Sequence, residues 1–316
     1  MTLAVDEAAV LAFIARLKSS RRNRLRADDI GLLPGSGRFY AATDSLVENT
    51  HYRDEWLGPE DIAYKLFARN WSDFLCKGIR PEAALLNLSL RRRRNAEKFT
   101  RKFLRSLDAL LTRHEITLVG GDSTRAGHDH FTLAFFGRKG KFIPRCAQEL
   151  RAGDLVLQLG TVGASDAARQ ALTKNPQAKK TTTLGFRRPH VFEILPAFGQ
   201  ILASIDQSDS VAKSLLLLAQ ANQAELHIEL SQLQVAPAYV KFCNNQPELF
   251  PAAAEDLAVF ALARAASGKT RSLPGHAAAT FHPIGQVKTI RVKKPCVRYF
   301  WHERELLPQV DEFEHF

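Results

Sequence analysis

Helix-period and strand-like segments alternate irregularly along both halves of this 316-residue chain, and that alternation restricts the fold more than any other feature. Val10, Phe13, Ile14 and Leu17, spaced i, i+3, i+4 and i+7, predict an amphipathic helix. Pro34-Gly35-Ser36-Gly37 reads as a turn into a short strand, Phe39 to Thr43. Pro59, with Glu60 and Asp61 behind it, has the fixed φ and early carboxylates of a helix start; that helix should run toward Phe74 and stop near Gly78. Residues 83 to 90 read as a buried strand, and a helix follows from about Asn95, striped by Phe99, Phe103, Leu107, Leu110 and Leu111. Ile116 to Val119 reads as a strand closed by a Gly120-Gly121-Asp122 turn, and Phe131 to Phe136 as another.

The second half continues in the same manner. Asp154 to Leu159 reads as a strand leading through Gly160 to a small-residue helix, and 173 to 189 as a polar, basic loop. Val191, Ile194, Leu195, Phe198, Ile201, Leu202 and Ile205 keep helical spacing up to Asp206, and a second helix follows, capped by Ser208 or Asp209. Later strands are Leu226 to Leu230, Leu257 to Leu262 and Phe281 to Val287. The pattern fits an α/β or α+β architecture and excludes an all-β one. The chain is longer than a typical single domain, and a boundary near residue 145 divides it into 1–145 and 146–316.

Composition removes several classes. No apolar run approaches the roughly 18 residues of a membrane span, and Asp6 and Glu7 precede the first apolar stretch, unlike a signal peptide. A cytoplasmic location is expected. Cys76, Cys146, Cys243 and Cys296 lie far apart without a C-x-x-C pair, which suits reduced, packed thiols. The net charge of +11 attracts phosphorylated small molecules, nucleic acid and anionic membranes alike. The densest basic run, Arg91 to Arg94, has no interleaved aromatics and reads as a solvated turn, so a nucleic-acid partner is not expected.

The chemistry should lie among aspartates at the ends of predicted elements. Asp28 and Asp29 precede a strand, Asp44 ends one, and Asp73 lies late in a helix. Asp122 closes the Gly-Gly turn, and Asp206 and Asp209 join two helices. Each alone is a common cap or turn residue. Together they form the hard-oxygen set that magnesium and phosphoryl transfer require. There is no G-x-x-x-x-G-K-[ST], no protein-kinase set, no G-x-S-x-G and no H-E-x-x-H, so ATP chemistry here needs another scaffold.

Ala27-Asp28-Asp29, Thr43 to Glu48 with His51, Asn70-Trp71-Ser72-Asp73 and Gly120 to Arg125 resemble, in order and spacing, segments of the thiamine-monophosphate kinase family. Gly160 to Gly163, Ile205 to Asp209, Glu255-Asp256, Pro283 to Gly285 and the ending Phe313 to Phe316 resemble later segments of the same family. The resemblance implies a two-domain fold like that of aminoimidazole ribonucleotide synthetase, with a homodimer built around N-terminal strands. It implies transfer of the γ-phosphate of ATP to thiamine monophosphate, assisted by several magnesium ions. Carried over by position, Asp29, Thr43, Asp44, Asp73, Asp122, Asp206 and Asp209 would hold metal, with Asp44, Asp73, Asp122 and Asp209 at the reaction centre. Gly121, Asp122, Arg145 and Ser208 would contact ATP; His51, Glu255 and Phe313 would face the thiamine phosphate.

The departures fall on glycines and on the substrate side. Ala27, Glu193, Ser210, Ala253 and Ala254 stand where the family has glycine, and Leu257-Ala258 replace Tyr-Glu. Where such a glycine takes φ > 0, a side chain costs about 1 kcal/mol and reshapes the loop. Two alternatives are a superfamily relative acting on another small molecule with ATP, and an altered paralogue that binds nucleotide without turnover.

Overall fold

The computed structural model describes residue 14 and residues 28–34, 38–195, 200–264 and 280–309. Of the expectations above, Ala27, the 35–37 turn, Phe198, Phe313 and all of the first helix except Ile14, which is helical, lie outside the described residues.

The first half runs β1 (Gly31–Leu32), β2 (Tyr40–Val47), α1 (Pro59–Cys76), β3 (Ile79–Leu90), α2 (Ala96–Arg113), β4 (Thr117–Arg125) and β5 (His130–Gly140). Its five strands form one sheet in the order β1-β2-β5-β3-β4, antiparallel except for the β3–β4 pair. One face is covered by α1 and α2, through Leu66, Phe67, Phe74, Phe103 and Leu107 against Leu86, Phe131, Leu133 and Phe135. The second half runs β6 (Leu155–Leu159), α3 (Ala164–Lys174), α4 (Leu184–Arg187), β7 (Gln200–Asp206), α5 (Val211–Ala221), β8 (Ala224–Glu229), α6 (Pro237–Phe242), β9 (Val259–Arg264), β10 (His282–Ile290), β11 (Cys296–Trp301) and β12 (Arg304–Leu306). Its seven strands follow the order β12-β11-β8-β10-β6-β9-β7. The architecture is mixed α/β, as expected.

Helix α1 positions everything that follows. Gly58 is its N-cap, Pro59 its first residue, and Glu60 and Asp61 lie in its first turn, as the sequence predicts. Its apolar side packs on the first sheet, while Cys76 joins Leu157, Leu159 and Val259 of the second in one apolar cluster. Lys65, Arg69, Asn70 and Ser72 are nevertheless buried on it.

Four local expectations change. Gly120-Gly121-Asp122 is not a turn: β4 continues through it, paired in parallel with Leu85, Leu86 and Asn87 after a one-residue register shift that skips Val119. A Cβ at Gly121 would lie 1.8 Å from the Leu86 carbonyl oxygen, so this crossing of backbones admits only glycine. Residues 200–206 form strand β7, not a helix. Ala203 and Ile205 pack into one apolar cluster and Ile201 against another, so the strand is apolar on both faces and loses its period-2 signature. The cap of α5 is Ser210, whose Oγ accepts the Lys213 N–H, rather than Ser208 or Asp209. The 173–189 stretch contains the short helix α4, with Phe186 and Arg187 buried.

The basic run is not merely solvated. Arg93 pairs with Asp129, which is fully buried, and its guanidinium lies 3.7 Å over the Phe99 ring. Arg91 reaches Glu48 at 3.0 Å and Asp54 at 2.6 Å. Arg92 and Arg94 are exposed. Removing one partner of a buried pair strands the other charge, so Arg93→Ala should cost about 3–5 kcal/mol. Arg92→Ala and Arg94→Ala should stay within about 0.5 kcal/mol. Urea unfolding of the three variants measures the contrast.

Candidate active site

The sequence N-x-S-D on α1 works as a set of anchors. Buried Asn70 donates from Nδ2 to the Leu66 carbonyl at 2.9 Å, which leaves Oδ1 to accept the Asp44 N–H at 3.0 Å. The amide thereby fixes β2 against the helix. The Ser72 hydroxyl lies 2.7 Å from Asp206 Oδ2, at the end of β7. Asp73 follows on the same side, one turn beyond Arg69. Asp44, Asp73 and Asp206 are thus drawn together from β2, α1 and β7. Asp29 completes the group from the segment before β1: a carboxylate oxygen of Asp29, one of Asp206 and the Cys76 Sγ all lie within 4.8 Å of one another.

This concentration of carboxylates is electrostatically unfavourable by itself. Burial, and then Asp206, Asp44 and Asp29, push the Asp73 carboxyl well above the ordinary range, against Arg69. Burial and Asp29 push Asp206 up to about 7. Asp29 goes the other way, since Lys77 and Arg145 outweigh its burial. A hard divalent cation would relieve the repulsion at Asp73 and Asp206, and oxygens of this kind are its natural ligands. The donor set therefore fits magnesium.

A second polar chain runs along α1. Arg69 contacts Asp44 at 3.5 Å and Glu255 at 3.0 Å, and buried Lys65 contacts Glu255 at 3.4 Å. The Lys65 ammonium also lies 3.5 Å over the Phe186 ring. Next to Glu255, Asp256 accepts the N–H groups of Gly163 at 2.5 Å and Ser165 at 2.7 Å, capping the start of α3. A Cβ at Gly163 would meet the Tyr239 ring at 2.4 Å, which explains the second glycine of that turn. The Glu-Asp pair thus joins the two halves: one carboxylate faces α1, the other holds α3.

The substituted glycines do not disturb this loop. Ser210 has φ −67° and Ala253 φ −53°. Positive φ falls instead on Glu255 (57°) and Leu257 (59°), and not on Glu193 or Ala254. Buried Gln207 braces the loop, accepting the Asp256 N–H at 3.0 Å and donating to the Ala253 carbonyl at 2.9 Å.

Of the other predicted site residues, Arg145 touches the carboxylate group through Asp29, and the rest make contacts of their own. Thr43 lies on the opposite side of β2 from Asp44, and its hydroxyl donates to the Leu133 carbonyl at 3.1 Å. Gly121 and Asp122 are on the exposed strand β4, where the Asp122 N–H donates to Asn87 Oδ1 at 3.0 Å. Asp209 pairs with Lys213 at 3.1 Å, and Ser208 lies half-buried beside it. The Arg145 guanidinium contacts Asp29, and the Arg145 backbone N–H donates to Asp28 Oδ2 at 2.9 Å. His51 Nδ1 accepts the Val47 N–H at 3.0 Å, and the ring is close enough to help lower Glu255. All four cysteines are free thiols; Cys76 and Cys243 are buried. Sequence reasoning passed over Lys65, Arg69 and Lys77. Their signal is a polar stripe, Lys65, Arg69, Asp73 and Lys77 at steps of four, on a helix otherwise apolar enough to be core.

Comparison with known proteins identifies the family. Residues 27–138 match the AIR synthase related protein, N-terminal domain, family. The chain is 30% identical over 211 residues to a thiamine-monophosphate kinase of Leptospira interrogans, covering 64% of this chain and 68% of that protein. It is 29% identical over 232 residues to the Haemophilus influenzae thiamine-monophosphate kinase, covering 71% and 70%. A solved structure of AaThiL complexed with AMPPCP and TMP superposes with a TM-score of 0.78 at 19% identity, covering 98% of each chain, and so shares the fold. At these identities and coverages the chain belongs to the thiamine-monophosphate kinase family, a family of phosphotransferases.

Proposed function

We propose that the protein transfers the γ-phosphate of ATP to the phosphate of thiamine monophosphate, giving thiamine diphosphate. The observation that carries this reading is the convergence of Asp44, Asp73 and Asp206, whose mutual repulsion calls for a divalent cation. When bound, magnesium supplies charge neutralisation between the two polyanionic reactants. Asp44, Asp73 and Asp206 would hold it, with Asp122, Asp209 and Thr43 contributing once nucleotide is present. Gly121, Arg145 and Ser208 are assigned to the nucleotide, and His51, Glu255 and Phe313 to the thiamine phosphate.

The chain's own residues then have a limited task. The nucleophile is a phosphate oxygen, largely ionised at neutral pH with a second pKa of about 6, so in-line attack needs no strong general base. Arg69 and Lys65, buried and oriented by Glu255, supply fixed positive charge, Arg69 directly beside Asp44. The ordinary φ values at Ser210 and Ala253 mean that neither position needs glycine, which leaves the Leu257-Ala258 replacement as the motive for an altered paralogue.

Two further parts of the reading rest on the first sheet. Residues 1–145 would bind nucleotide and dimerise, and residues 146–316 would complete the substrate site. The side of the first sheet away from its helices carries Leu85, and edge strand β4 is exposed throughout, with Leu118 at 47% and Val119 at 61% exposure. A second copy would cover that surface, and a sedimentation mass of two chains tests it.

The primary test is direct. The purified chain is incubated with ATP and thiamine monophosphate, with and without magnesium, and thiamine diphosphate is followed by chromatography. Magnesium-dependent product is expected. Magnesium-dependent nucleotide binding without product would move the acceptor to another small molecule.

A further inference from the structure

Lys77 follows α1 directly and is completely buried. Its ammonium sits 2.8 Å from Asp28 Oδ1, 2.8 Å from Asp29 Oδ2 and 2.5 Å from the Ser204 carbonyl oxygen. An ammonium has three N–H donors, and here three oxygens take them. Two carboxylates and a carbonyl are also the ligand set of a hard divalent ion. The oxygens come from the segment before β1 and from β7, the two segments that also deliver Asp29 and Asp206 to the carboxylate group.

The remaining oxygens of the pair are committed as well. Asp29 Oδ1 faces the Arg145 guanidinium, and Asp28 Oδ2 accepts the Arg145 N–H at 2.9 Å. Asp28 Oδ1 also receives the Asp29 N–H at 2.8 Å. Asp29, unlike Asp73 and Asp206, is therefore already neutralised by the protein.

We propose that Lys77 is a tethered cation occupying one cation position of this centre, so that Asp28 and Asp29 bind the ammonium instead of a divalent ion. This rests on the reading that the neighbouring carboxylates bind metal. The tethered charge carries no hydration shell to shed, does not exchange, and leaves Asp44, Asp73 and Asp206 as the metal-binding set. The chain consequently takes one divalent ion fewer than its carboxylates alone would hold.

The test counts Mn2+ bound to the full chain by the loss of the free-ion electron paramagnetic resonance signal. Lys77→Met should bind one Mn2+ more per chain than the unmodified protein, and Lys77→Arg, which keeps the charge, should bind the unmodified number. Equal, non-zero counts in the unmodified protein and Lys77→Met overturn the inference while leaving the metal reading intact. An extra ion in Lys77→Arg also overturns it, since geometry rather than charge would then be the cause. No Mn2+ in any of the three overturns both. Should Lys77→Met unfold without metal, Mn2+ is expected to restore its circular dichroism, and failure to do so overturns the proposal.

Discussion

Asp73→Asn should lower thiamine diphosphate formation about a thousandfold while raising the melting temperature of the metal-free protein. The two effects share one cause. Asp73 is pushed far above the ordinary carboxylate range by burial and then by Asp206, Asp44 and Asp29. Without a cation the fold tolerates this repulsion; asparagine removes it, and one pKa unit corresponds to about 1.4 kcal/mol. A gain in metal-free stability follows. The activity loss follows from the same oxygens, since metal-assisted charge neutralisation contributes several kcal/mol to phosphoryl transfer and about 4 kcal/mol is a thousandfold.

The pH dependence has a definite sign. Asp206 is raised from 3.8 to about 7, and Asp73 is raised as well, so the folded state holds protons that the unfolded chain has released. The contribution of Asp73 and Asp206 to metal-free stability should therefore be fully present below about pH 4 and decline as the pH rises toward 7. In Asp73→Asn that decline should be shallower, and magnesium should raise the melting temperature less than it does in the unmodified protein. Loss of activity with a lower metal-free melting temperature would make Asp73 a structural residue. Unchanged activity would remove it from the reaction.

The limits of sequence reasoning follow from which contacts are local. Helix α1 was legible because Pro59, Glu60 and Asp61 act on their own turn, and α2 because its apolar stripe repeats within 18 residues. Strand β7 was not, because its apolar residues divide between two clusters and imitate helical spacing. The Gly120-Gly121 pair imitated a turn, although Gly121 serves to let β4 pass the Leu86 carbonyl. At the site, motif order brought out Asp29, Asp73 and Asp206, which the fold does assemble. The cations that balance them, Lys77 and Arg145 on Asp29 and Arg69 on Asp44, are pairs visible only in three dimensions. The substituted glycines looked damaging for a similar reason: φ at Ser210 and Ala253 depends on how Gln207 and Asp256 brace the loop.

The same bracing makes Glu255 a residue whose loss should cost substantial stability. Its carboxylate lies between Lys65 and Arg69, and those two cations hold it down at about 2 against an ordinary 4.5, despite its burial. The partners respond unequally. Burial pushes the Lys65 ammonium down even with Glu255 beside it, whereas Arg69 rises because Asp44, and then Glu255, outweigh its burial; for Glu255 itself Lys65 is the larger attraction and Arg69 the second. A depressed carboxylate contributes stability above its unfolded value, and a gap from 4.5 to about 2 corresponds to about 3 kcal/mol. Glu255→Gln forfeits this and leaves two buried cations facing each other, which Lys65 can relieve only by releasing its proton. The expected loss is about 3 kcal/mol at neutral pH. Measured by urea unfolding, the gap between the two proteins should be constant down to about pH 5 and narrow as the pH falls through 4.5 toward 2. A gap that stays level through that range would show that the Glu255 charge is not what joins α1 to the 253–257 loop. If Glu255 also orients Lys65 and Arg69 for the thiamine phosphate, the variant's KM for that substrate should rise while its KM for ATP holds. A rise in both would place the damage in the fold of the loop rather than in recognition.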